Sequence, residues 1–445
     1  MPGSGRMTEE LLGPIADGWR YLTLGEVCRL GGGDIQTGPF GSQLHASDYV
    51  ADGIPSIMPV NIGDNRISDE KIARVSEDDA ERLKRYRVQV GDIIYSRRGD
   101  VERRSLIRER EDGWLCGTGC LRVRIGRAIA DPEFTAQYLG HPAVREWIVR
   151  HAHGATMPNL NTSILAACPF VLPPMREQEA IASALGALDD KIELNRRMNE
   201  TLEETARAIF KDWFVDFGPT RAKIEDRAPY LAQDIWSLFP DRLDDEGRPE
   251  GWQARSIYEI ADVVYGAPFS SKLFNIERRG RPLIRIRDLP NETPGVWTPE
   301  EHPKGYMVRA GDIVVGMDGE FRAYLWGGDD AWLNQRVCVF KPKVGFSAAF
   351  VRNSIYEPLA EVEATEIATT VIHLGKNDID RFAVIMPREK LVEKFNGLSQ
   401  PLYDRIVTNK RDSRTLATTR DLLLPKLMSG EVRVKDAEKL VGEAT

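Results

Sequence analysis

Between residues 181 and 213 apolar side chains return at alternating steps of four and three. Positions 181, 185, 188, 192, 195, 199, 202, 206, 209 and 213 read Ile, Leu, Leu, Ile, Asn, Asn, Leu, Ala, Ile and Trp. This is a heptad seam, and it predicts a helix that pairs with another helix. Adding 214 to each position gives Phe395, Ser399, Leu402, Ile406, Asn409, Ser413, Leu416, Arg420, Leu423 and Leu427, a second stripe in the same phase. The seam is assigned to Leu188, Ile192, Asn195, Leu202 and Ile209 on the first stripe. On the second it is assigned to Leu402, Ile406, Asn409, Leu416 and Leu423. Asn195 matches Asn409, and a buried Asn costs stability but holds register. A helix of about 40 residues is a rod of roughly 60 Å. Antiparallel pairing is expected, because it sets the end of the first helix beside the start of the second.

The chain ahead of each helix has a different texture. It is broken by Gly and Pro and carries short β-rich runs. Asp92 to Ser96 and Asp312 to Gly316 each follow a Gly, and read as strands entered from a Gly-Asp turn. Cys120 to Ile125 and Arg336 to Pro342 read as strands with apolar alternation. The two halves also match in order. Gly18-Trp19 recurs as Gly251-Trp252, Pro39 to Leu44 as Pro268 to Leu273, Gly53 to Ile57 as Gly280 to Ile284, and Val90 to Tyr95 as Ala310 to Val315. The offset falls steadily from 233 to 214, as a duplication with small loop deletions requires. The expected fold class is α+β: two similar mixed α/β domains separated by two long antiparallel coiled-coil helices, with approximate two-fold symmetry. The expected division is a flexible N-terminus over 1–16, a globular domain over 17–175, a helix over 176–217 and a linker over 218–250. A second globular domain over 251–387, a helix over 388–432 and a tail over 433–445 follow.

Composition removes several function classes. The chain has 445 residues and five cysteines, with no CxxC pair, so a disulfide scaffold and a zinc ribbon are excluded. No apolar run reaches membrane-span length, and the first ten residues lack a signal-peptide core, so a cytoplasmic protein is expected. No phosphate loop of the GxxxxGK[ST] type and no Asn/Asp-Pro-Pro-aromatic tetrapeptide occurs. His151 and His153 lack a further ligand at metal spacing. Asp189-Asp190-Lys191 falls on the heptad helix, where a solvated face accounts for it. No catalytic constellation and no metal site is expected.

The net charge of −8 conceals a segregation. Lys84 to Arg127 holds twelve basic and six acidic residues, net +6, and Lys272 to Arg287 holds six against one, net +5. Glu177 to Asp216, on the first helix, is net −5. Both basic clusters favour Arg, whose planar fork suits guanine edges and phosphates. Two basic domains held apart by a rigid spacer suit a bipartite DNA site, with readers about 34 Å or a multiple apart. A two-headed protein-binding scaffold and a stand-alone DNA methyltransferase or nuclease are the rival classes.

Several stretches resemble the specificity subunit of type I restriction-modification systems. They are Pro169 to Lys223, Leu238 to Trp252, Gly38 to Leu44 and Asp421 to Val432, within a likeness running from Gly18 to Val434. The family plan alternates a target-recognition domain with a helix, twice. The resemblance implies a subunit without catalytic activity that reads a bipartite asymmetric DNA site, one domain per half-site. It implies partners: two modification subunits, forming an adenine methyltransferase, and two restriction subunits, giving an ATP-dependent endonuclease. The helices would set the spacer and dock the modification subunits, with Glu200, Glu203 and Glu204 as docking candidates. S-adenosylmethionine, ATP and magnesium would then belong to the partners. The first basic loop departs from the family at Glu102, where members often have Gly, and the second carries Asp318 where the first has Arg98. For the first domain the DNA-contact candidates are Gln36, Thr37, Ser42, Gln43, Arg97, Arg98, Arg103, Arg104, Asn159 and Asn161. For the second they are Ser270, Ser271, Lys272, Arg285, Arg287, Arg322 and His373.

Overall fold

The computed structural model describes residues 14–40, 43–154, 158–365, 372–437 and 442. Most of the expected flexible N-terminus and much of the tail lie outside the described residues. The chain forms two compact units, one made of Met1–Lys191 with Leu416–Thr445 and the other of Ile192–Thr415. No helix is long and apolar enough to cross a membrane among the described residues.

In the first unit the strands are β1 (Arg20–Thr23), β2 (Asp34–Thr37), β3 (Tyr49–Val50), β4 (Ile54–Ile57), β5 (Ala73–Val75), β6 (Ile93–Ser96), β7 (Arg104–Leu106), β8 (Leu115–Cys116), β9 (Cys120–Arg124) and β10 (Pro169–Leu172). One sheet has the order β2-β9-β6-β7 and a second has β3-β5-β4-β8, while β1 pairs with β10. Strand β6 is buried on both faces, which explains its continuous apolar run. Gly91 supplies the left-handed turn that leads into it, at φ 94°. Asp92 turns inward there, accepting from the Gln89 amide at 2.8 Å and pairing with Arg124 at 2.6 Å. The simple alternation expected along β9 fails at Arg122, which is buried and bound to Asp34 at 2.7 Å.

The second unit repeats this plan. Its strands are β11 (Gln253–Ser256), β12 (Ala261–Tyr265), β13 (Arg281–Ile284), β14 (Trp297–Thr298), β15 (Met307–Val308), β16 (Ile313–Gly316), β17 (Ala323–Leu325), β18 (Ala331–Leu333), β19 (Val337–Pro342) and β20 (Ala383–Met386). The order β12-β19-β16-β17 repeats β2-β9-β6-β7 strand for strand. The second sheet, β14-β13-β18-β15, keeps the parallel pair of the first copy, β13–β18 standing for β4–β8. Pairing of β11 with β20 repeats that of β1 with β10. The duplication seen in sequence is therefore a duplication of topology.

The central helix spans Met175–Phe214 and the C-terminal helix Glu389–Ser429. The latter continues through Pro401 and Pro425, each of which removes one backbone donor. In the second unit Asn195 donates to the Asn409 carbonyl at 3.4 Å and to Ser413 Oγ at 3.3 Å, and Asn409 donates to Asn199 Oδ1 at 2.9 Å. Farther along, the Phe210 and Trp213 rings meet Phe395 edge-on at 5.7 and 6.1 Å. Rising numbers on one helix face falling numbers on the other, so the pair is antiparallel. Ile406 is buried on this seam, and Leu202, Ile209 and Leu402 pack against the same core, while Ile192 is half-buried. In the first unit Leu188, Leu416 and Leu423 are buried, and Asp189 pairs with Arg420 at 2.7 Å. Asp189 also accepts from Gln137 at 2.6 Å, so it belongs to an internal polar cluster and not to a solvated face.

Replacing both Asn199 and Asn409 with Leu is expected to be neutral or to stabilise by up to about 1 kcal/mol, because donor and acceptor leave together. Asn409→Leu alone leaves Asn199 Oδ1 without its donor and is expected to cost about 1 kcal/mol. Urea unfolding of the wild type and these two variants measures the difference.

The segment 218–250 is structured. It carries helices over Gly218–Ile224 and Gln233–Trp236 and sends Phe239 into the second unit's core, where it meets Trp213 at 5.4 Å. Of the acidic docking candidates, Glu203 binds Arg352 at 2.9 Å and Glu200 pairs with Arg196 on its own helix, leaving Glu204 exposed.

Candidate nucleic-acid interface

In the first unit four chain segments converge beyond the end of β6. The Arg97 amide donates to the Gly119 carbonyl at 2.8 Å, the Gly99 amide to the Pro158 carbonyl at 3.0 Å, and the Leu160 amide to the Arg97 carbonyl at 2.8 Å. The Gly38 amide, following β2, donates to the Cys120 carbonyl at 3.0 Å. Arg98 and Asn159 form a β-bridge at the centre. Gly99 takes φ 72°, a left-handed turn that favours Gly and reverses the chain before Asp100.

The second unit builds the same junction. The Met317 amide donates to the Arg336 carbonyl at 2.9 Å, the Gly319 amide to the Ile372 carbonyl at 3.1 Å, and the Leu374 amide to the Met317 carbonyl at 2.8 Å. Asp318 and His373 form the corresponding bridge, and Gly319 has φ 84°. Positions 98, 119 and 159 thus correspond to 318, 336 and 373. A further pair lies on adjoining turns: Val60, 82% exposed, corresponds to Arg287, also exposed. Each turn is closed by its last side chain, Asn61 accepting from the Met58 amide and Asp288 from the Arg285 amide.

The candidates divide by what already holds them. Arg98 is exposed and its side chain has no partner among the described residues, and the same is true of Arg287 and Lys272. Gln36 and Thr37 lie half-buried on β2, opposite Arg122 and Leu121. Arg97 is half-buried, with its Nε unpartnered. Arg103 pairs with Asp100, and Arg322 with Glu320 at 3.0 Å, both at the surface. Ser271 is exposed, whereas the Ser270 amide is tied to Glu300 at 2.7 Å. Ser42 lies outside the described residues.

Arg104 departs from the expectation. It is 4% exposed, donates to the Ala136 carbonyl at 3.0 Å and pairs with Asp64 at 3.0 Å. A Cβ on Gly140 would fall 1.8 Å from its guanidinium, so that glycine makes room for a buried arginine. Asp64 gains from this arrangement. Burial pushes its carboxyl up, but Arg104 and Arg420 outweigh that and hold it below the usual range. Three other candidates are also committed internally. Arg285 grips Asp288 through two nitrogens at 3.0 and 3.2 Å, Asn161 caps the helix Thr162–Ala166, and Gln43 accepts from the Tyr86 hydroxyl at 2.7 Å.

The thiols offer no chemistry here: all five cysteines are buried, and burial pushes Cys116 up to about 12. The His151 ring stacks on Trp147 at 4.0 Å, its Nδ1 2.7 Å from the Trp147 carbonyl. Among the described residues no three His, Cys, Asp or Glu side chains gather as a metal site.

Each unit therefore presents an exposed, arginine-bearing loop junction on a rigid sheet frame. Residues 16–204 match the family model described as the type I restriction modification DNA specificity domain. The chain is 28% identical over 304 residues to the type I restriction enzyme MjaIX specificity subunit of Methanocaldococcus jannaschii, covering 65% of this chain and 67% of that one. It is 23% identical over 436 residues to the HindI specificity subunit of Haemophilus influenzae, covering 85% and 95%. Among solved structures, the type I restriction-modification S subunit from M. genitalium shares the fold at TM-score 0.50 and 16% identity, covering 93% of this chain and 96% of that one. The chain is thus similar to specificity subunits of type I restriction-modification systems.

Proposed function

We propose that this chain reads a bipartite, asymmetric double-stranded DNA site, one half-site at each loop junction. The observation that carries this reading is the repetition of one junction with different side chains. Equal frames with unequal surfaces suit two unlike half-sites. Arg98 and Arg287, exposed and uncommitted, are the leading contacts, and Lys272, Arg103 and Arg322 are further basic candidates at the surface. Arg104, Arg285, Asn161 and Gln43 serve the frame.

The chain acts as the specificity component and leaves catalysis to others. Two modification subunits and two restriction subunits complete the complex, and S-adenosylmethionine, ATP and magnesium are held by them. The paired helices set the unread spacer and offer their outer faces, including Glu204, to the modification subunits. Part of this proposal is supported by the antiparallel seam, whose Asn195–Asn409 contacts hold one register.

Arg98→Ala and Arg287→Ala test the assignments, with binding measured on the native site and on single-base variants. A base contact costs about 1–3 kcal/mol and relaxes preference at its own position, whereas a phosphate contact weakens all sequences alike. Arg98→Ala is expected to act on one half-site and Arg287→Ala on the other. Unchanged affinity in both variants would refute the assignment.

A further inference from the structure

Laying the two junctions over each other isolates one residue that charge counting misses. Gly119 has φ 83°, and its counterpart Arg336 has φ 69°. The left-handed region suits glycine and costs a side-chain-bearing residue, so a non-glycine kept there needs a reason. Core packing does not supply one. The Arg336 side chain is 56% exposed, and its neighbours Asp318 and His373 are 30% and 43% exposed. Exposed ion pairs contribute little to stability.

The local geometry does supply one. His373 Nδ1 lies 2.8 Å from Asp318 Oδ1. One terminal nitrogen of Arg336 lies 3.1 Å from His373 Nδ1, 3.4 Å from its Nε2 and 3.6 Å from Asp318 Oδ1. The guanidinium is thus tethered through a single nitrogen, while Nε and the other terminal nitrogen have no partner among the described residues. An arginine held on one side with its remaining donors in solvent is pre-organised for a planar acceptor pair. The O6 and N7 edge of guanine is such a pair. In the first unit the same three positions hold Gly119, Arg98 and Asn159, so the arginine arises from a different segment and an amide replaces the imidazole.

We propose that Arg336 reads a G·C pair in the second half-site, with Asp318 and His373 as its positioning residues, and that positions 98, 119 and 159 make the corresponding readout in the first. This rests on the DNA-reading function proposed above and names the residues and base class that carry it.

The test uses the full chain assembled with its modification subunits and a duplex library randomised across both half-sites. Arg336→Gly is the variant of choice, because glycine takes the left-handed backbone without strain. The expected result is a preference for G·C relaxed roughly tenfold or more at one position of the second half-site, with the first half-site's preferences unchanged. His373→Ala should blunt the same position to a smaller degree. A wild-type complex that selects two sequence blocks, with Arg336→Gly selecting the identical blocks or losing affinity equally for all sequences, overturns this proposal alone. A wild-type complex that selects no sequence overturns the underlying function instead.

Discussion

Deleting one heptad, residues 196–202, from the central helix alone is expected to abolish binding to the native site. The second unit ties that helix to its partner at two levels, Asn195 with Asn409 and Ser413, and Phe210 and Trp213 with Phe395. Seven residues are about 10 Å of helix. After the deletion only one of the two contacts can keep its partner, so either the polar register slips or the aromatic cluster is pulled apart. Removing residues 402–408 as well restores the facing lengths. That double deletion should fold, lose the native site, and favour a site whose spacer is shortened by about three base pairs, at about 3.4 Å each. Circular dichroism follows folding, and binding to duplexes with stepped spacer lengths follows the ruler. Native-site affinity surviving the single deletion would rule out the spacer role.

Phe395→Ala is expected to destabilise the second unit by about 3–5 kcal/mol, the range for truncating a buried aromatic. Phe395 is fully buried, and its ring centroid lies 5.3 to 6.1 Å from those of Phe214, Phe210, Phe350 and Trp213. These rings come from three segments: the central helix, the helix Ala348–Thr365 and the start of the C-terminal helix. Removing Phe395 therefore loosens the second α/β domain and both helices at once. Denaturant unfolding combined with hydrogen exchange should show lost protection within Ile192–Thr415 and retained protection in the first unit. The second half-site's preference should fade at temperatures where the first persists.

The helices were legible because a heptad is a local, repeating signal, and Asn195 and Asn409 stood out within it. The duplication was legible because short motifs recur in order. The candidate interface was only half legible, because a charge count does not reveal which way a side chain points. Arg98 and Arg104 are six residues apart in one basic run, yet one is exposed and the other is enclosed beside Gly140. Arg285 and Arg287 divide in the same way, the first held by Asp288 and the second in solvent. Arg336 was missed because it opens what reads as a buried strand. Its signal was present in the self-comparison at an offset of 217, where it stands opposite Gly119, but that pairing carries meaning only once both backbones are known to be left-handed. Glu203 shows a further limit of one-dimensional reading, since its partner Arg352 lies 149 residues away.

The most direct test of the account is selection of bound duplexes from a fully randomised library by the assembled complex, followed by sequencing. The expected outcome is two separated blocks of preferred sequence at one spacing, with Arg98→Ala relaxing one block and Arg287→Ala the other. A single block, or no enrichment at all, would contradict it.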